Sequence, residues 1–239
     1  MSNQWLKYPV IQKLFGEKWL SDLKNRTNHP LFQNYSETDY LYNLNNYLSH
    51  IRSTKESVIN ELKNGDQFFD TYYELEIAYF LIQHGLKTEL HKIIDDVETD
   101  IYIEENKVIL EIKHLRIPIK VENASVRFNP KSKQHNSPKD FDKTYMNMER
   151  MRSYLNDKKF QRVFPNIVCF CPDIASGECY DIENLLDKSI NPDFEIREEI
   201  SALALWKHQK IKCLFENPNG RKLMLDSCRL KKFFNLRVE

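Results

Sequence analysis

The chain is poor in glycine, has no long apolar run and carries no excess charge of either sign. Its five glycines form no phosphate-cradling loop, and no nucleoside-triphosphate motif is present. No run of eighteen apolar residues occurs, so no membrane span is expected. The opening residues, MSNQWLKYPV, lack the apolar core of a secretory signal. The five cysteines are odd in number and scattered, which fits reduced thiols in a cytoplasmic protein rather than a disulfide framework. Cys169 and Cys171 have no second close pair, so the zinc signal is poor. The seven histidines make no i,i+4 or H-x-H pattern, and no histidine metal site is expected. A formal net charge of zero gives no global attraction to nucleic acid.

What is present fits a folded protein. A content of 41% hydrophobic and 12% aromatic residues excludes a disordered chain. The 239 residues suit one large domain or a core with an appended subdomain. Charge is unevenly spread along the chain. Residues 89–106 hold seven acidic side chains against one lysine, and residues 113–143 hold eight Lys/Arg against three Asp/Glu. An acidic pocket followed by a basic segment is what a metal-assisted phosphodiester site needs. Adjacent blocks pairing on a solvated surface is the other reading.

Residues 1–66 read as a helical N-terminal region, and residues 67–239 as the main domain. In the first, Val10, Ile11, Leu14 and Phe15 fall at helical spacings. A second helix is expected from Asp39 to about Arg52, and a third buries Val58, Ile59 and Leu62. Gln67 to His84 is apolar on more than one side, so a largely buried helix is expected, closed by Gly85. Glu74 stands out on it, because a buried carboxylate needs a partner, a cation or hydrogen bonds. Leu86–Ile94 reads as a strand and residues 123–140 as a long polar loop. Phe141 to about Phe160 reads as a helix. The apolar run 166–171 suits a strand covered on both faces. Ile200–Lys207 and Ile211–Glu216 form a further strand pair.

The most informative stretch is ETDIYIEENKVILEIKH, Glu98 to His114. It reads as a β-hairpin, with Thr99–Ile103 and Val108–Lys113 joined through Glu104–Lys107. A two-residue loop at Glu105-Asn106 makes opposite residues sum to 211, so Asp100 lies across from Glu111 on one face. Lys113 shares that face. Ile101, Ile103, Val108, Leu110 and Ile112 occupy the other. Two carboxylates directly opposite repel, and a divalent cation is the simplest group that makes them favourable. A one-residue slip in the turn would separate them.

Asp100, ten intervening residues and Glu111-Ile112-Lys113 resemble the PD-(D/E)xK nuclease superfamily. The resemblance takes in Glu74 on the preceding helix and the α-β-β-β-α-β order from about Phe68 to Cys171. Thr99 stands where a proline often precedes the aspartate. The resemblance implies a mixed-sheet α/β fold with a restriction-endonuclease-like core behind a helical N-terminal subdomain. It implies a cytoplasmic, Mg²⁺- or Mn²⁺-dependent phosphodiester hydrolase acting on DNA more than RNA, in defence or repair. Asp100, Glu111, the Ile112 carbonyl and Glu74 would hold the ion, and Lys113 would orient water or stabilise charge. Arg116, Lys120, Arg127, Lys131 and Lys133 would hold backbone phosphates. Cutting both strands from one such site takes a homodimer or repeated nicking. The alternative is a module that keeps the fold without cutting, or a protein-interaction domain with an incidental acidic face.

Overall fold

The computed structural model describes residues 8–26, 37–51, 56–64, 67–115, 138–172, 179–207 and 209–221. The described fold is mixed α/β, with strand pairings of both senses. Its contacts divide the chain into two compact units, Met1–Ile112 and Lys113–Glu239. No described helix is long and apolar enough to cross a membrane.

The first unit sets four helices before a hairpin ladder. They are α1 (Pro9–Arg26), α2 (Glu37–His50), α3 (Glu56–Lys63) and α4 (Phe68–Gln83). α1 is kinked at Gly16, whose φ of 75° and ψ of 167° leave the helical region. Aromatic rings pack α2 against α4. Tyr40 and Tyr47 on α2 meet Phe69 and Tyr72 on α4 with ring centroids 5.2–5.9 Å apart. On α3, Val58 and Leu62 are buried, whereas Ile59, expected in the core, is half-exposed.

α4 is the central helix of this unit. Eleven of its sixteen residues are buried, as its all-round apolar pattern predicts. Its end is a Schellman turn. The Gly85 amide donates to Ile82 O at 2.9 Å and the Leu86 amide to Leu81 O at 3.1 Å. Gly85 has φ +78°, a conformation that costs a side-chain-bearing residue about 1–2 kcal/mol. A Cβ there would meet nothing within 4 Å. Gly85→Ala should therefore lose roughly 1 kcal/mol in chemical denaturation, from backbone strain alone; a loss several times larger would show that α4 needs more than this turn to end.

Strands β1 (Thr88–Ile94), β2 (Val97–Ile103) and β3 (Val108–Leu115) are successive antiparallel neighbours. Asp95 and Asp96 join the first two with φ of +54° and +59°, the left-handed pair of a type I′ turn. Val97 opens β2 opposite Ile94. The β2–β3 register is Ile101↔Leu110, Tyr102↔Ile109 and Ile103↔Val108, the expected sum of 211, but the strands are joined by a four-residue loop, Glu104–Lys107, with Lys107 at φ +51°, and not by a two-residue loop at Glu105-Asn106. The Lys107 amide closes that loop on Glu104 O at 3.3 Å.

The second unit holds α5 (Pro138–Asp157), β4 (Asn166–Pro172), α6 (Cys179–Leu186), β5 (Ile200–Trp206) and β6 (Ile211–Glu216). β4 and β5 pair parallel, with α6 in the connection between them, while β5 and β6 pair antiparallel. Every residue of β4 and β5 is buried, which fits a parallel pair covered on both faces. Met148, Met151 and Leu155 on α5 share a core with Val168, Phe170, Leu203 and Leu205.

Candidate functional site

β2 carries the site's central residue. The β1–β2 pairs Leu90↔Ile101 and Lys92↔Thr99 flank Asp100 on both sides, so the facing position on β1 is that of His91. Continuing the β2–β3 register by one residue brings Glu111 to its other side. A straight continuation of both registers would set His91, Asp100 and Glu111 in one row. At the end of the β2–β3 ladder, the Ile112 amide donates to Asp100 Oδ2 at 2.6 Å. That bond fixes the Asp100 carboxylate beside the Glu111–Ile112 peptide.

The apolar face is buried as read, through Ile101, Ile103, Val108, Leu110 and Ile112. The carboxylate face is covered too, because Tyr102 and Ile109 on it are buried, and Glu111 is 0% exposed. A carboxylate at that depth is costly to hold charged unless hydrogen bonds or a cation offset its lost hydration. Lys113 lies two residues on along β3 and is half-buried. Its Nζ sits 5.4 Å from the centroid of the Tyr154 ring, a cation–π distance.

Glu74 is buried on α4, as its apolar neighbours imply, and its partner is His91. Glu74 Oε2 lies 2.8 Å from His91 Nε2. His91 Nε2 is also 3.6 Å from Glu61 Oε2 on α3, and Nδ1 is 3.3 Å from Glu98 Oε1 on β2. Ser57 Oγ lies 3.3 Å from the same Nδ1, and Thr71 Oγ1 donates to Glu61 Oε2 at 3.0 Å. His91 has φ +52°, rare for a residue with a side chain and frequent where function fixes the backbone. Glu76, on another face of α4, accepts from Tyr47 Oη at 2.9 Å and belongs to the helical core.

The electrostatics tie Asp100 to this cluster. Burial pushes the Glu74 carboxyl up to about 7, against the lowering hydrogen bond from His91, and the Asp100 charge adds to the rise. Burial pulls His91 down, but the hydrogen bond and charge of Glu74, with Glu61 and Asp100, outweigh it and raise the imidazole to about 9. The two groups titrate as a pair. Both shifts leave the folded protein holding protons that the unfolded chain has released. The His91 contribution is complete below its ordinary pKa of 6.5 and is lost as pH rises through about 9. The Glu74 shift acts in the same sense between 4.5 and about 7. The melting temperature should thus fall as pH is raised from 6.5 to 9, and less steeply in His91→Gln protein. A wild-type midpoint that rises across this window would contradict the pairing.

Of the residues singled out in the sequence, Asp100 and Ile112 meet at the β2–β3 hairpin, Glu111 precedes Ile112 on β3, and Glu74 stands within electrostatic reach of Asp100. Lys113 follows on β3. Arg116, Lys120, Arg127, Lys131 and Lys133 lie outside the described residues. Sequence reasoning passed over His91, Glu61, Glu98 and Ser57. One signal for His91 was available. A two-residue turn at Asp95-Asp96 makes opposite residues sum to 191, which places His91 across from Asp100. Comparison with family models, with curated proteins and with solved structures finds no match to this chain.

Proposed function

We propose that the chain is a metal-dependent phosphodiester hydrolase of the PD-(D/E)xK type, with a restriction-endonuclease-like core, acting on DNA. The observation that carries this reading is the 2.6 Å bond from the Ile112 amide to Asp100 Oδ2, which holds Asp100 against the segment bearing Glu111. Asp100 and the buried Glu111 would supply oxygen donors of the kind a hard divalent cation takes, with Glu74 on α4 within the field of Asp100. Asp100, Glu111 and the Ile112 carbonyl would hold Mg²⁺ or Mn²⁺, with Glu74 as a ligand or as an anchor for a bound water. When bound, the ion neutralises phosphate charge and acidifies water.

The chain's own residues supply the rest. The Ile112 amide fixes the Asp100 carboxylate, which a flexible side chain would otherwise lose in rotamer freedom. Lys113, braced on the Tyr154 ring, would hold the attacking water or the charge that builds on the phosphorus oxygens. Burial of Glu111 excludes bulk water from one side of the reacting centre. The basic residues Arg116, Lys120, Arg127, Lys131 and Lys133 would hold the DNA backbone, and a homodimer would let one site per chain cut both strands.

The test is incubation of the pure protein with plasmid, single-stranded DNA and RNA, in Mg²⁺, Mn²⁺ or chelator. Metal-dependent nicking or cutting of DNA is expected. Retention of DNA without cutting in any metal would favour the non-cutting module, and neither binding nor cutting would favour an interaction domain.

A further inference from the structure

We propose that Glu61, Glu74 and His91 form a second cation site, one that takes a transition metal of borderline softness such as Zn²⁺ or Co²⁺. It shares Glu74 with the hydrolytic site above but does not depend on the chain being a nuclease. One ligand atom from each of the three residues lies within 4.8 Å of the others. The separations in the structure, 2.8 Å from His91 Nε2 to Glu74 and 3.6 Å to Glu61, bracket the separation a tetrahedral ion demands. Ligands at about 2.0–2.1 Å from such an ion stand about 3.3–3.4 Å apart. Small side-chain adjustments, with no change of backbone, would seat it.

The donor set decides the metal. Asp100, Glu111 and a carbonyl offer oxygen alone, which suits Mg²⁺. An imidazole nitrogen with two carboxylates suits Zn²⁺, Co²⁺ or Mn²⁺ better than Mg²⁺. Three protein ligands leave a fourth position for water or substrate, as in catalytic rather than structural zinc sites.

The groups behind the ligands are of the kind that hold such a set in place. His91 turns Nε2 to Glu74 and Glu61 while Nδ1 faces Glu98 and Ser57, each at 3.3 Å. A metal-bound histidine is ordinarily steadied through its other nitrogen by a carboxylate in this way. Thr71 donates to Glu61 at 3.0 Å and so orients a second ligand. The cluster also has an entry path. The His91 and Glu74 side chains are 6% and 9% exposed, Glu61 is 29% and Glu98 60%, so burial decreases from the ligand pair outward.

The competing reading is an imidazolium held between carboxylates and nothing more. Titration of the full chain with Co²⁺, read by visible absorption, and with Zn²⁺, read by ¹⁵N resonances of labelled histidine, separates the two. A single site per chain is expected, with the His91 Nε2 resonance moving on Zn²⁺ addition. Glu61→Gln and His91→Gln should weaken binding by at least about tenfold, and Glu98→Gln by roughly tenfold. Asp100→Asn removes a nearby charge but no ligand, so it should weaken Zn²⁺ binding much less than Glu61→Gln does even where DNA cleavage is lost, and failure of one site is distinguishable from failure of the other. Glu61 is partly exposed on α3, so Glu61→Gln decides the matter if His91→Gln does not fold. An unmoved His91 resonance, or Glu61→Gln protein that binds Co²⁺ as tightly as wild type, would overturn the proposal in favour of the ion pair.

Discussion

Lys113→Ala protein is expected to cleave DNA about a hundred- to a thousand-fold more slowly than wild type, the loss typical when one donor to a developing oxyanion is removed. Asp100→Asn should lose at least as much, since it weakens an ion ligand while keeping the side chain's shape. The two differ in what else they disturb. Lys113 sits over the Tyr154 ring at 5.4 Å, an interaction worth about 0.5–1 kcal/mol at a partly exposed site. Asp100 accepts the Ile112 amide, and an asparagine can still accept it through its carbonyl oxygen. Both proteins should therefore fold. Their circular dichroism should match wild type, and their melting temperatures should lie within a few degrees of it. Lys113→Arg should not restore full rate, because a planar guanidinium is a different shape of charge from an ammonium. Undiminished metal-dependent cleavage by either Lys113→Ala or Asp100→Asn would remove these residues from the site.

The second large effect is on stability. Mg²⁺ at a hundred times its dissociation constant should stabilise the fold by about 2.7 kcal/mol through binding to the native state alone. For a chain of this size that is a rise in melting temperature of roughly 5–10 °C. The physical source is the Asp100–Glu111 juxtaposition. Like charges directly opposite on neighbouring strands destabilise a sheet, and Glu111 has lost its hydration by burial. An ion between them turns the repulsion into attraction. Glu111→Gln removes one of the two charges, so its melting temperature should respond far less to Mg²⁺. A full-sized Mg²⁺ shift in Glu111→Gln protein would place the stabilising ion elsewhere.

Much of the fold was legible in the sequence, including the hairpin that carries Asp100 and Glu111. The β2–β3 hairpin was legible because Ile101, Ile103, Val108, Leu110 and Ile112 alternate strictly, and parity then determines which residues face Asp100. α4 was legible because apolar residues ring it and Gly85 closes it. Covering of the carboxylate face was not, because Tyr102 and Ile109 read equally well as half-exposed strand residues until the surrounding chain is packed. His91 was missed for a different reason. Its partners are Glu61, thirty residues earlier, and Glu74, seventeen earlier, and no local spacing records a contact made by folding α3 and α4 against β1. Its left-handed backbone adds to the difficulty, since alternation predicts side-chain direction only for extended residues. Glu76 lies on a different face of α4 from Glu74, and the Tyr47 hydroxyl assigns it to the helical core.

The most direct test of the central claim is single-turnover cleavage of plasmid DNA in Mg²⁺ by wild-type and Asp100→Asn protein, with a chelator arm for each. The account predicts cutting by wild type that the chelator abolishes, and no cutting by Asp100→Asn in any metal. Cleavage that survives the chelator, or that Asp100→Asn carries out at the wild-type rate, would contradict it.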